Sequence, residues 1–537
     1  MHPFQKPFLG PFATVFLRSS LLAVALVAGQ AEAQTLVVAN SALPTTLDSA
    51  DAQDVFSQNV AINVTEPLIG YGDDGTELAP LLATGWRPND DATVWTLTLR
   101  QGVRFHDGTP FDADAVKFNL DRWNEPDHPH AYRDQGKTYV PWRWVFGGVR
   151  GEGGLLEEVR VLDAATVRLV LREPVAFLPA LLAAPFFQID SPSAVRAAGA
   201  EYGTPAVGTV GTGPFRFAEW REGDRVVLER HDGYWGEPAR VGRIVSRGVP
   251  DATARLAELL AGTVDIALSL DADAVPLVRE RSDLRLVAPE AELNVGFVAM
   301  NQDVAPFGDV RVRRAVAYAV DREAIVDAFY GPFATLAVDF LPPLLWGHAE
   351  LEPYRYDPAR ARALLAEAGL ADGFTTELWY VPVSSPLEPA PRAIAETIAT
   401  YLADVGIDAR PRTKDWNAYL ADATAGRLPM YMLGWAADYA DPDSFLRTFF
   451  GASRYASPGW DDEEVVAWVE RARRSTDVDE RAALYARVLR RAHEQVPALP
   501  TVHARSVNGV RATVSGFEVG PIPGALRLSR VAKVSGD

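Results

Sequence analysis

Beyond Leu293 the chain alternates short apolar runs with stretches of helical periodicity, and this alternation constrains its fold more than any other feature. Leu293 to Asn301 is an apolar run, Val310 to Val320 reads as a helix, and Asp321-Arg322-Glu323 opens another. Asp357-Pro358 starts a third helix that ends at Gly369 as its C-cap. Leu378, Ile394 and Val405 through Ile407 then give strand, helix and strand. Strands alternating with helices imply an α/β body with a parallel-rich sheet. The last strand of that body is Pro429-Met430-Tyr431-Met432-Leu433, after which Gly434 marks either its end or a close backbone approach. Ligand crevices open at the carboxyl ends of such strands.

The loop that follows runs through Trp435, Ala436 and Asp438 and is closed by Pro442. Asp443 or Ser444 is placed to N-cap a helix over 445–450. With capping claiming Asp443 and Pro442 constraining Asp441, Asp438 is the carboxylate left available. Held near the indole of Trp435, it suits a cation such as a ligand's ammonium group. The competing reading is an Asx-turn aspartate and a core tryptophan, and residue types alone favour it.

A chain of 537 residues is too long for one core, so two or three sub-domains are expected. A net charge of -19 argues against nucleic-acid binding, which wants a basic face. The absence of cysteine removes disulfides, thiol nucleophiles and Cys-based metal sites together. At the N-terminus, His2, Lys6 and Arg18 precede the apolar run Leu21 to Ala28, and Ala31-Glu32-Ala33 stands before Gln34. That is a signal peptide over 1–33. No Cys follows the apolar run, which excludes lipid attachment there, and no other run approaches membrane length. The mature product is expected to be soluble and periplasmic, or otherwise extracytoplasmic.

Thr35 to Ala39 is a first strand, followed by the loop Ser41-Ala42-Leu43-Pro44. Trp95, Leu97 and Leu99 alternate with Thr96 and Thr98 as a half-buried strand, and Asp107-Gly108 signals a hairpin turn. Asp112 to Asp114 caps a helix carrying Val116, Phe118 and Leu120. His106 reads as a surface or packing histidine. Residues 126–154 hold Trp142, Trp144 and Phe146 among many Gly, Pro and His, which suggests a long ordered excursion near a cleft rather than a linker. Gly136-Lys137-Thr138 is not a P-loop, because Ala131 stands where the first glycine must be. Val159 to Leu171 forms a hairpin, and Gly208 to Phe217, rich in glycine, lacks the Lys-Ser/Thr ending of a phosphate loop.

The run Trp95 to Val116, together with Gly434 to Pro442, resembles solute-binding protein family 5, the dipeptide- and oligopeptide-binding proteins of ABC importers. The resemblance covers nearly the whole mature chain and is nearest the dipeptide-type subgroup. It implies a two-lobed α/β periplasmic binding protein fold (type II-like, class C) with an extra sub-domain. The lobes would be 34–66, 207–292 and 508–537 for lobe I, 67–206 for the extra sub-domain and 293–507 for lobe II, with the 208–217 stretch crossing between lobes. It also implies that Asp438 pairs with the ligand's α-amino group within the loop of Gly434, Trp435 and Ala436. Backbone around Ser41, Leu43 and Pro44 would contribute to the crevice. Arg392, at the start of a helix after the proline-broken loop 381–391, would hold the ligand's carboxylate bidentately. The alternative for Arg392 is a surface pair with Glu388 or Glu396.

An enzyme is not indicated. His493-Glu494-Gln495-Val496-Pro497 lacks the second histidine of a zincin, there is no G-x-S-x-G elbow, and the histidines are dispersed. No catalytic group, metal or cofactor is expected. The expected partners are a short peptide and the permease subunits of an ABC transporter in the inner membrane, with the protein a monomer. Two other readings remain open, a carrier of a nickel chelate or haem, and a peptide-binding chaperone or sensor uncoupled from import.

Overall fold

A computed structural model describes residues 34–452 and 459–534; the expected signal peptide over 1–33 lies outside them. Two large sheets anchor the chain. One has seven strands in the spatial order 215–221, 225–230, 243–248, 35–40, 266–267, 508–511, 284–287. It therefore gathers three separated stretches of sequence. The other has six, in the order 334–336, 498–504, 294–300, 430–436, 374–379, 407–412.

The expectation of a parallel-rich sheet is corrected by the pairing. In the six-stranded sheet the strand Asn294–Met300 is antiparallel to both neighbours, and parallel pairing is confined to Phe374–Trp379 and its two neighbours. In the seven-stranded sheet only Thr35–Asn40 pairs parallel with its neighbours. The alternation of strand and helix was real, but strands contributed from far along the chain enter each sheet in the opposite sense. Sequence distance does not encode that direction.

A third body is built on a four-stranded antiparallel sheet, 83–88, 94–99, 166–171 and 156–163, with the helix Ala113–Asn124 packed on it. Its core includes Trp95, Trp123, Trp142, Phe146 and Phe187, so the aromatic excursion is ordered and buried. Trp142 stacks on Phe146 at 3.8 Å between ring centroids. A buried ionic cluster joins this body to the loop after the first strand. Arg122 grips Asp48 with both terminal nitrogens and stands 3.5 Å from Asp190, while Lys137 lies 3.3 Å from Asp48. Burial raises the Asp48 carboxyl, yet the charges of Arg122 and Lys137 win and hold it below the usual carboxylate range. Lys137 is thus a structural cation.

The glycine-rich stretch 208–217 is fixed by close approach. A Cβ on Gly211 would meet the Val64 carbonyl oxygen at 2.4 Å, so only glycine fits. His106 is a packing histidine against this stretch, its Nε2 bonded to the Gly213 carbonyl at 2.9 Å. Burial pushes its pKa down to about 4, so it stays neutral.

Candidate ligand-binding site

The strand Met430–Ala436 extends through Gly434, which pairs with Gly296, and ends only at Ala436 opposite Asn294. Gly434 is therefore a close approach and not a strand end. A Cβ there would lie 2.5 Å from Leu387 Cδ1, which the loop 383–389 drops onto the sheet. After Ala437, whose N–H donates to the Leu293 carbonyl at 2.7 Å, the chain leaves the sheet.

Capping in the loop differs from expectation. The helix is Asp443–Phe450, with Pro442 at the cap position and no side-chain cap. Asp441 Oδ1 accepts the Asp443 N–H at 2.9 Å, and the Ser444 hydroxyl accepts the Asp438 N–H at 3.1 Å. Asp443 is fully buried, accepting from Tyr439 Oη at 2.9 Å and pairing with Arg473 at 3.1 Å. Asp441 pairs with Arg481 at 2.6 Å. Both arginines come from the helices Glu463–Arg474 and Val478–Gln495, partners that no local reading of the loop can reveal. Their effect is to neutralise two of the loop's three aspartates.

Asp438 is the third, and among the described residues no cation forms an ion pair with it. It is half-buried. Loss of water outweighs a hydrogen bond from Trp144 and the field of Arg447, and pushes its carboxyl up to about 7. A carboxylate so placed gains from any cation brought against it. Trp144 comes from the aromatic excursion, its ring 6.1 Å from that of Trp435. Tyr71 accepts the Ala440 N–H at 3.2 Å, and Tyr439 stacks on Phe177 at 5.9 Å. The third body therefore packs directly on the loop that carries Asp438.

A cavity of about 720 Å³ opens beside this loop, between residues of the seven-stranded body and residues of the six-stranded body. Ser41, Asn59 and Leu270 face Asn294, Tyr330 and Leu387 across it. Of the sequence-predicted residues, Ser41 and Ala436 line the cavity. Gly434 lies under the Leu387 wall, and Trp435, one residue before Ala436, and Asp438, two after it, do not line the cavity themselves. Leu43 packs toward Gly248, where a Cβ would lie 2.8 Å from Leu43 Cγ, and Pro44 is buried beside it.

Arg392 needs correction. Its side chain is 77 % exposed and its Nε donates to Glu396 at 2.8 Å, one helical turn away, so in this structure it makes the surface pair. The loop before it reaches the cavity, which Val383, Ser385 and Leu387 line. Its remaining acid, Glu388, points inward, where burial pushes the carboxyl up to about 8. Sequence reasoning missed the segment 519–526 and the residues 505–508, which also line the cavity. Gly520, Pro523 and Gly524 marked a loop, but nothing local placed that loop at the cleft.

Comparison with known proteins decides the family. The model of bacterial extracellular solute-binding proteins, family 5 (middle region), matches residues 77–457. The chain belongs to that family. This family 5 protein is 32% identical to the dipeptide-binding protein of Escherichia coli (strain K12), over 94% of this chain and 96% of the relative. It is 33% identical to heme-binding protein A of Haemophilus influenzae, over 88% of this chain and 86% of the relative. Its structure superposes on a dipeptide-binding protein of Pseudoalteromonas sp. SM9913 in complex with Met-Leu, with a TM-score of 0.80 at 27% identity, covering 93% of this chain and 100% of that one. The two-lobed fold with a cleft is thus that of the family. Among the described residues no helix is long and apolar enough to cross a membrane.

Proposed function

We propose that this family 5 protein captures short peptides outside the cytoplasm and delivers them to the permease of an ABC importer, without transforming them. The observation that carries the reading is Asp438. Among the described residues it has no ion-pair partner, while its neighbours Asp441 and Asp443 are neutralised, and it lies just past the end of a strand whose last residue lines the cleft. A ligand ammonium supplies the missing charge, and Trp435 and Trp144 offer apolar surface beside it. Backbone groups along the cleft suit an extended chain with tolerance of side chains. Relatives named for dipeptides, and a neighbour holding Met-Leu, support the peptide class. The relative named for haem supplies the second reading, which would need groups that ligate iron; among the described residues no histidine lines the cavity, and Tyr330 does.

The test is calorimetric titration of the mature protein with di- and tripeptides and, separately, with haemin. Mass spectrometry of the recovered ligand checks that it is intact. Scattering profiles with and without ligand should show compaction as the lobes close. Binding of haemin in place of peptides, or release of cleaved product, contradicts the proposal.

A further inference from the structure

With Arg392 on the surface, the cleft needs another group for the far end of a zwitterionic ligand, and the hinge supplies one. The strand Ala498–Ala504 ends where the chain crosses back toward Asn508–Arg511, and Arg505 stands in that crossing, half-buried and lining the cavity. Among the described residues its terminal nitrogens donate to backbone carbonyls, those of Pro289 at 3.5 Å, Glu290 at 3.3 Å, and Pro332. Carbonyls orient a guanidinium without cancelling its charge. The nearby acid Glu292 feels the charge of Arg505, which offsets part of the rise that burial causes, but its oxygens are hydrogen-bonded to neutral groups, the Ser506 N–H at 2.8 Å and hydroxyl, and the Asn294 amide at 3.1 Å. Among the described residues, no carboxylate forms an ion pair with Arg505.

Sheet register relates Arg505 to Asp438. The strands Met430–Ala436 and Ala498–Ala504 are both antiparallel to Asn294–Met300 and flank it, so they run in the same direction and finish at the same edge. Asn294 pairs with Ala436 on one side and exchanges hydrogen bonds with Ala504 on the other, at 2.8 and 3.0 Å. Two strand spacings place Ala436 and Ala504 about 10 Å apart. Asp438 and Arg505 lie just beyond those two ends. An extended dipeptide spans about 7 Å between its termini, and a charged hydrogen bond at each end adds about 3 Å. The loop residues past each strand end supply the remaining reach.

We infer that Arg505, and not Arg392, binds the carboxylate of a short zwitterionic ligand whose ammonium is held at Asp438. This rests on the peptide-binding reading of the cleft. The specificity that follows is for ligands with a free carboxylate a short distance from a free amine, and a planar guanidinium already held in place by carbonyls loses little freedom in binding it.

The test uses the full mature protein and calorimetry against a defined panel of dipeptides, each as free acid and as C-terminal amide. In the wild type, amidation should weaken binding by roughly 10- to 100-fold. Arg505→Gln should weaken binding of the free acids by a similar factor and no longer distinguish acid from amide. Arg505→Lys, which keeps a point charge without the fork, should restore part of the discrimination. Arg392→Ala should behave as the wild type. If Arg505 only braces the hinge, its variants will weaken acids and amides alike, and that result overturns the inference. So does transfer of the discrimination to Arg392. Should Arg505→Gln fail to fold in a ligand-free melt, the Arg505→Lys comparison decides on the same criterion. Failure of every dipeptide to bind overturns the peptide reading as well, whereas dipeptide binding without coupling to Arg505 overturns this inference alone.

Discussion

Ligand affinity should depend on pH in a way set by Asp438. In the ligand-free protein its carboxyl titrates at about 7, so in mild acid a cationic ligand must first displace a proton. At pH 7 about half of the molecules carry the ionised form, and at pH 5 on the order of 1 % do. The ligand's α-amine, with a pKa near 8, stays largely protonated across that range. Affinity should therefore fall roughly 40-fold from pH 7 to pH 5, about 2 kcal/mol at 1.4 kcal/mol per decade. The fall stops once the pH drops below the lowered pKa of the ligand-bound carboxyl. Calorimetry in buffers of different ionisation enthalpy checks the same step, since binding must release close to one proton near pH 5.5 and about half a proton at pH 7. Asp438→Asn should bind more weakly and with a flat profile between pH 5 and 7. A wild-type profile that is already flat, or a slope that survives in Asp438→Asn, refutes the reasoning.

Gly434→Ala places a Cβ against Leu387 and should cost about 1–3 kcal/mol in stability while displacing the loop that walls the cleft; unchanged ligand affinity in this variant would show that the wall does not touch ligand. Arg122→Met leaves the buried Asp48 with Lys137 as its remaining cation and should cost about 3–5 kcal/mol at neutral pH in a denaturant melt. Because Asp48 is held below its unfolded pKa, the wild-type advantage is present above the usual carboxylate range and should shrink as pH falls through the folded value. Glu388 has the opposite sign: its folded pKa of about 8 lies above the unfolded value, so its contribution is full in acid and is lost as pH rises toward 8. Glu388→Gln should accordingly raise stability at pH 8 by roughly 2–4 kcal/mol and change it little at pH 4, as read by thermal melts.

What the sequence revealed was what local patterns encode. Periodicity located the strand that ends at Ala436 and the helices after Asp309 and Asp357, because burial of one face sets both periods. The loop bearing Asp438 was legible as a place, being an apolar strand followed by turn chemistry. Its inner wiring was not. Arg473 and Arg481, which decide the fate of Asp443 and Asp441, come from helices downstream that only tertiary packing brings near. The density of aromatics in 126–154 foretold burial but not that Trp144 would reach Asp438. Arg392 misled because its helix position suited a carboxylate clamp, while Glu396, one turn along, offered a partner at no cost in chain entropy. Arg505 carried no motif, and only sheet register relates it to Asp438, past the ends of two strands that finish at the same edge with one strand between them.

The central claim is that the Asp438 carboxylate holds the ligand's ammonium, and a double-mutant cycle tests it most directly. Titrate wild type and Asp438→Asn with one dipeptide and its N-acetyl form, by calorimetry at pH 7.5. The substitution keeps shape and removes charge, so it should cost about 2–5 kcal/mol with the free amine. Acetylation should cost the wild type a comparable amount and the variant much less, since both changes delete one interaction. Strict additivity of the two losses would mean that amine and carboxylate never meet, and would contradict the account.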